Sequence, residues 1–118
     1  MSDTTHSTLP RLPHHRLIAY GVALQLLAAV RAAEIRDTAL RTQALNAAKS
    51  AVSNTAEGAG RVSRADKARV LGIARGEACE AAAAVEIAEI AGDAKPGSRE
   101  RVIIIADRLV ALLTGFIR

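Results

Sequence analysis

The sequence predicts an all-α protein, an antiparallel up-down-up-down four-helix bundle, on three observations. Hydrophobic residues make up 50% of the 118 residues while aromatic residues make up only 2%, so any core is built from small side chains. Roughly one residue in five is alanine, well above ordinary usage. Alanine is the best helix former, whereas strands favour aromatic and β-branched residues. Apolar residues also recur at spacings of three and four along four stretches joined by short connections, which is the pattern of antiparallel helices sharing one core. A chain of 12.3 kDa forms one module of this kind.

The elements follow in order. Residues 1–15 hold Ser, Thr, two prolines and all three histidines without apolar periodicity, which predicts a disordered tail; the bundle is expected over 16–118. The first helix runs from about Arg16 to Ile35, with Leu17, Tyr20, Leu24 and Leu27 on one face and Pro13 suited to its entry. The second starts at Asp37 as N-cap and passes through Leu40, Ala44, Ala47 and Ala51 to a stop at Gly58, where a positive φ is expected. Ser63-Arg64-Ala65-Asp66 reads as a capping-box variant opening the third helix, which carries Val70, Ile73, Ala74, Ala81, Ala84 and Val85 before Gly92 ends it. Ser98 is expected to cap the fourth helix, with Val102, Ala106, Leu109 and Phe116 as its stripe. The run Val102-Ile103-Ile104-Ile105 suits a strand in isolation, but its helical continuation to the C-terminus argues otherwise. On the second helix Leu45 and Val52 lie opposite Ala47 and Ser50, and apolar surface on two sides of one helix points to cover by a neighbouring subunit.

Several function classes are disfavoured on the same residues. One cysteine allows no intramolecular disulfide framework, which suits a reducing, cytoplasmic setting. The start lacks the pattern of a secretory signal, and the apolar stretch Leu17 to Val30 carries Gln25 and is shorter than the roughly 18 residues of a membrane span. No histidine falls on a helix, and Glu77-Ala78-Cys79-Glu80 is not the Glu-x-x-His motif of a metal-binding bundle. Cys79 has no helical histidine to activate it and is expected to be a buried, inert thiol. Gly58-Ala59-Gly60 lacks the lysine of a phosphate-binding loop. No enzyme, catalytic set, metal or cofactor is therefore expected.

Two clusters remain. Gln43, Ser50, Asn54 and Glu57 repeat along one face of the second helix, while Glu77 and Glu80 interrupt an apolar sector of the third. Buried carboxylates require partners, so Gln43, Ser50, Asn54, Glu57 and Glu80 are expected to form a buried structural network fixing the bundle's register, with a ligand pocket as the alternative. The basic residues Arg61, Arg64, Lys67 and Arg69 crowd the start of the third helix, whereas Glu86, Glu89 and Asp93 occupy its end. That order opposes the helix macrodipole. It implies either an acidic partner such as nucleic acid, which the net charge of +4 permits, or base–acid pairing between subunits.

The string Asn54-Thr55-Ala56-Glu57-Gly58-Ala59-Gly60-Arg61, followed by Ser63 and by Ile73-Ala74-Arg75-Gly76, resembles the bacterial four-helix bundle family also called 23S rRNA intervening sequence proteins. Gln43 and Ser50 upstream and the closing segment Arg108 to Arg118 are similar to the family as well. The resemblance implies a short bundle assembled as a homopentameric ring, with no enzymatic activity. Some members are encoded within ribosomal RNA intervening sequences, and a similar bundle serves diversity-generating retroelements by binding nucleic acid. The expectation is therefore a non-enzymatic oligomeric scaffold that binds RNA or DNA through Arg61, Arg64, Lys67 and Arg69. The alternative is a bundle that binds a small molecule or a protein.

Overall fold

The structure is a computed structural model that describes residues 9–117. A single 3-10 turn, Pro13–Arg16, precedes four helices: α1 (Ile18–Ala32), α2 (Thr38–Gly60), α3 (Arg64–Ile90) and α4 (Ser98–Ile117). Each helix packs on its successor, and α4 returns to α1. Arg75 Nε meets Thr114 Oγ1 at 2.8 Å while Arg99 Nε meets Glu86 at 2.6 Å, so α3 and α4 run antiparallel. The backbone bonds Arg36 N to Asp93 O and Lys95 N to Ala33 O bring the α1–α2 and α3–α4 connections together at one end. The opposite end gathers the 3-10 turn, the α2–α3 connection and the C-terminus of α4. Of the tail expected over 1–15, residues 1–8 lie outside the described residues, and Pro13–Arg16 packs against α1 and α2.

Local chemistry explains most of the boundaries. Asp37 caps α2 by accepting from Leu40 N at 2.9 Å, and Ser63 caps α3 by accepting from Asp66 N at 3.1 Å. Gly92 leaves α3 with φ +82°, the left-handed conformation that glycine enters without steric cost. Three expectations are corrected. α1 ends at Ala32 rather than Ile35, because Glu34 turns the chain with φ +49° and sends Ile35 into the core, 3% exposed. α2 passes through Gly58 to Gly60; Gly58 is helical and buried against Leu71, so its missing side chain admits close packing instead of a positive φ. Ser98 does not cap α4. The carboxylate of Glu89, reaching across from α3, accepts from Gly97 N at 3.2 Å and Arg99 N at 2.6 Å, which holds it below the usual carboxylate range.

Since Glu34 is the one non-glycine residue with positive φ among those described, and its ion pair with Lys95 is exposed and worth little, Glu34→Gly is expected to be neutral or stabilising by up to about 1 kcal/mol. A lowered thermal midpoint would show that the pair outweighs the backbone strain.

The core is made of alanines. Ala44, Ala48 and Ala51 of α2 and Ala74, Ala78 and Ala81 of α3 are fully buried, with Leu26, Leu71, Leu109 and Leu113 as the large side chains among them. Meanwhile Ile73, Ile87, Ile90 and Ile104 point outward, with Ile87 54% and Ile90 76% exposed. On α3 the buried positions follow Leu71, Ala74, Ala78, Ala81, Val85 and Ala88. The inward face is thus rotated from the isoleucine-weighted sector that hydrophobicity alone selects. Two faces are left mainly apolar. One is a groove of about 690 Å³ where Leu24, Leu27, Ala28 and Leu45 share the lining with Arg31, Glu34 and Lys49, and the other, about 310 Å³, is lined by Cys79, Ala82, Ile103 and Val110 with Glu86 and Asp107 between α3 and α4.

Candidate nucleic-acid interface

The rotation of α3 decides the fate of the expected polar network. Glu57, Glu80 and Gln43 are exposed, and Glu57 pairs with Arg61 one turn later. Only Ser50 and Asn54 come together: Asn54 Nδ2 donates to Ser50 O at 2.9 Å and to Ser50 Oγ at 3.0 Å. The network is therefore not buried within one chain, because Ala78 and Ala81 rather than Glu77 and Glu80 occupy the inward positions. Cys79, expected to be buried, is exposed for the same reason. Among the described residues no buried side-chain nitrogen or oxygen lacks a hydrogen-bond partner, so no inward-facing polar atom is held open for a ligand. The buried hydroxyl of Thr55 donates to Ala51 O at 2.7 Å.

The basic cluster forms part of one end of the bundle. Asp66, in the first turn of α3, accepts from Arg61 at 3.0 Å and from Arg69 at 2.9 Å. The hydrogen bonds from Arg69, reinforced by the charge of Arg61, hold the Asp66 carboxyl below its ordinary range. Arg61 is correspondingly stabilised in its charged form, chiefly by its hydrogen bond to Glu57 and by the charge of Asp66. An acid at the third helical position thus offsets, within the same turn, part of the conflict between these bases and the helix dipole. Of the four expected phosphate contacts, Arg61 and Arg69 are engaged in ion pairs; Arg64 is exposed.

Lys67 differs from its neighbours. Its side chain has no hydrogen bond or ion pair among the described residues, and it lines a depression of about 250 Å³ together with Pro13, Arg16, Leu17, Ala59 and Phe116. Arg16 is likewise without a side-chain partner there. It was assigned no role at the sequence level because it stands where tail meets helix. An up-down bundle nevertheless carries the signal: the start of the first helix and the start of the third share an end, so Arg11 and Arg16 belong with Arg61, Arg64, Lys67 and Arg69. Against these six the same end holds, among the described residues, Glu57 and Asp66, an imbalance that creates a positive field.

Of the acids expected to pair with these bases across subunits, Glu86 and Glu89 have partners within the chain. Glu86 pairs with Arg99 at 2.6 Å and Glu89 caps α4, both at the opposite end of the bundle. The Asp93 carbonyl accepts from Arg36 N at 2.7 Å in the same region. Among the described residues no group of three His, Cys, Asp or Glu side chains stands close enough to hold a metal ion, and no helix is long and apolar enough to cross a membrane.

The family model described as 23S rRNA-intervening sequence protein matches residues 17–115, nearly the whole of the bundle. A search of curated proteins returns no match.

Proposed function

The chain belongs to the 23S rRNA-intervening sequence protein family, and from that premise we propose that it is a non-enzymatic helical scaffold that self-assembles and binds RNA or DNA phosphates through its basic end. The observation that carries the reading is the excess, among the described residues, of Arg11, Arg16, Arg61, Arg64, Lys67 and Arg69 over Glu57 and Asp66 at one end, where Arg16 and Lys67 have no side-chain partner among those residues. A phosphate backbone is the polyanion that such a cluster suits. The likeness to the family suggests a homopentamer. The exposed side chains of Ile73, Ile87, Ile90 and Ile104 favour assembly, since contact between different faces of successive copies generates a ring when the rotation closes. A ring would repeat the basic end around one rim, and linked weak sites gain avidity.

Assembly is checked by light scattering after size exclusion, where a mass about five times the 12.3 kDa chain is expected. Ile87→Glu, a change at an exposed position, should lower that mass while helicity persists. A wild-type monomer at micromolar concentration would remove the assembly proposal.

For binding, Arg64→Glu combined with Lys67→Glu should weaken affinity for any nucleic acid by at least about tenfold at low salt. In the wild type the logarithm of affinity should fall with that of salt by about 0.7–0.9 per phosphate neutralised. Loss of the oligomer in the charge-reversed protein would mean that these bases serve subunit contacts. Salt-insensitive capture of an apolar small molecule, without nucleic-acid binding, would favour the small-molecule reading.

A further inference from the structure

The chain has Tyr 1, Phe 1 and Trp 0, and the fold brings both of its large aromatic rings to the basic end. Tyr20 lies in the first turn of α1 and Phe116 in the last turn of α4, nearly a hundred residues apart in sequence but at the same end of the bundle. Two adjoining depressions share Arg16 and Leu17. One is the 250 Å³ depression with Lys67 and Phe116; the other, about 630 Å³, holds Arg11, His15 and Tyr20. Phe116 is 41% exposed. The Tyr20 ring is braced edge-on by His14, with centroids 4.6 Å apart, and by His15 at 6.1 Å.

An aromatic ring gains most from full burial, and Phe116 forgoes much of it beside two cations that have no partner among the described residues. Each depression thus combines one ring with cations, Phe116 with Lys67 and Arg16 in one and Tyr20 with Arg11 and Arg16 in the other. Cations meet phosphates at any base, whereas rings recessed in depressions meet only bases that have left a helical stack. A duplex keeps its bases stacked inward and offers such rings nothing.

We propose that this end binds single-stranded nucleic acid, with Arg11, Arg16 and Lys67 on the phosphates and Phe116 and Tyr20 stacking on unpaired bases. The inference rests on the nucleic-acid reading above and specifies its substrate class. Two rings per chain are few, but assembly repeats them. Sequence preference should be weak, because every base has a face to stack.

Fluorescence anisotropy of the full-length protein with oligouridylate, oligothymidylate and blunt RNA and DNA duplexes of the same length tests it. The wild type should bind the single strands more tightly than the duplexes. Phe116→Ala should lower single-strand affinity by about 5- to 100-fold and duplex affinity by less than about twofold, and Phe116→Trp should restore or exceed wild-type affinity. Arg16→Ala should lower affinity for both forms and reduce the salt slope by about one. The tryptophan variant and a circular dichroism spectrum guard against a mere folding defect. If single strands and duplexes bind alike and Phe116→Ala changes neither, the stacking inference fails while the phosphate reading stands. If no nucleic acid binds at low salt, or an acidic peptide alone is bound through Arg16 and Lys67, both fall.

Discussion

Leu71→Ala is expected to destabilise the protein by about 2–5 kcal/mol, and the loss should couple strongly to a change at Gly58. Leu71 is completely buried and among the largest side chains in the core. A methyl group built on Gly58 would stand 2.5 Å from Leu71 Cδ2, 2.7 Å from Cγ and 3.3 Å from its backbone nitrogen. Such distances force the Leu71 side chain to shift toward the depression that it lines beside Phe116, and the approach to its backbone nitrogen presses α3 away from α2. Gly58→Ala alone gains up to about 1 kcal/mol of helix propensity, but overpacking costs about 1–3 kcal/mol, so a net loss is expected. In the Leu71→Ala background the two closest contacts vanish and only the backbone approach remains. There Gly58→Ala should be close to neutral. A double-mutant cycle by urea denaturation should therefore show a coupling of about 0.5–3 kcal/mol. Additive losses would mean that the two residues are not in contact and that the α2–α3 register differs from the one described.

Ala78→Leu should destabilise by overpacking rather than by leaving a cavity, at a cost of about 1–3 kcal/mol. Ala78 is completely buried, as are Ala74 and Ala81 on its own helix and Ala48 and Ala51 on α2. With Gly58 set on Leu71, the antiparallel register runs Ala51 and Ala48 alongside Ala78 and Ala81. Helices meeting through methyl groups leave no volume for an isobutyl group, so α2 and α3 must separate along their length. A broadened transition with a lowered denaturant slope is expected, since a loosened native state changes the surface exposed on unfolding. Ala39→Leu, at an exposed position in the first turn of α2, is the control and should stay within about 0.5 kcal/mol of wild type. Equal effects at the two sites would contradict the alanine core.

These two variants also mark where sequence reasoning succeeded and where it did not. The number and order of helices were legible because helix propensity, spacing and local capping act over a few residues. Asp37 and Ser63 cap the helices that follow them, and Gly92 ends α3 with the positive φ that its type suggests. The basic cluster was legible as composition, and the ordered motif from Asn54 to Arg61 carried the likeness to the family.

The sequence by itself therefore determined the fold class, the starts of α2 and α3, the end of α3 and the family. Tertiary structure decided which face turns inward: isoleucine outranks alanine in hydrophobicity, yet close helix approach buries Ala74, Ala78 and Ala81 and leaves Ile73 and Ile87 outside, stranding Glu80 and Cys79 in solvent with them. It also decided that Glu89 rather than Ser98 caps α4, that Gly58 serves a contact instead of a turn, and that Arg16, Lys67, Tyr20 and Phe116 share one end. The reason is common to all four. Each depends on the distance between groups far apart along the chain, and such distances are set by how helices pack, which local spacing and propensity do not encode.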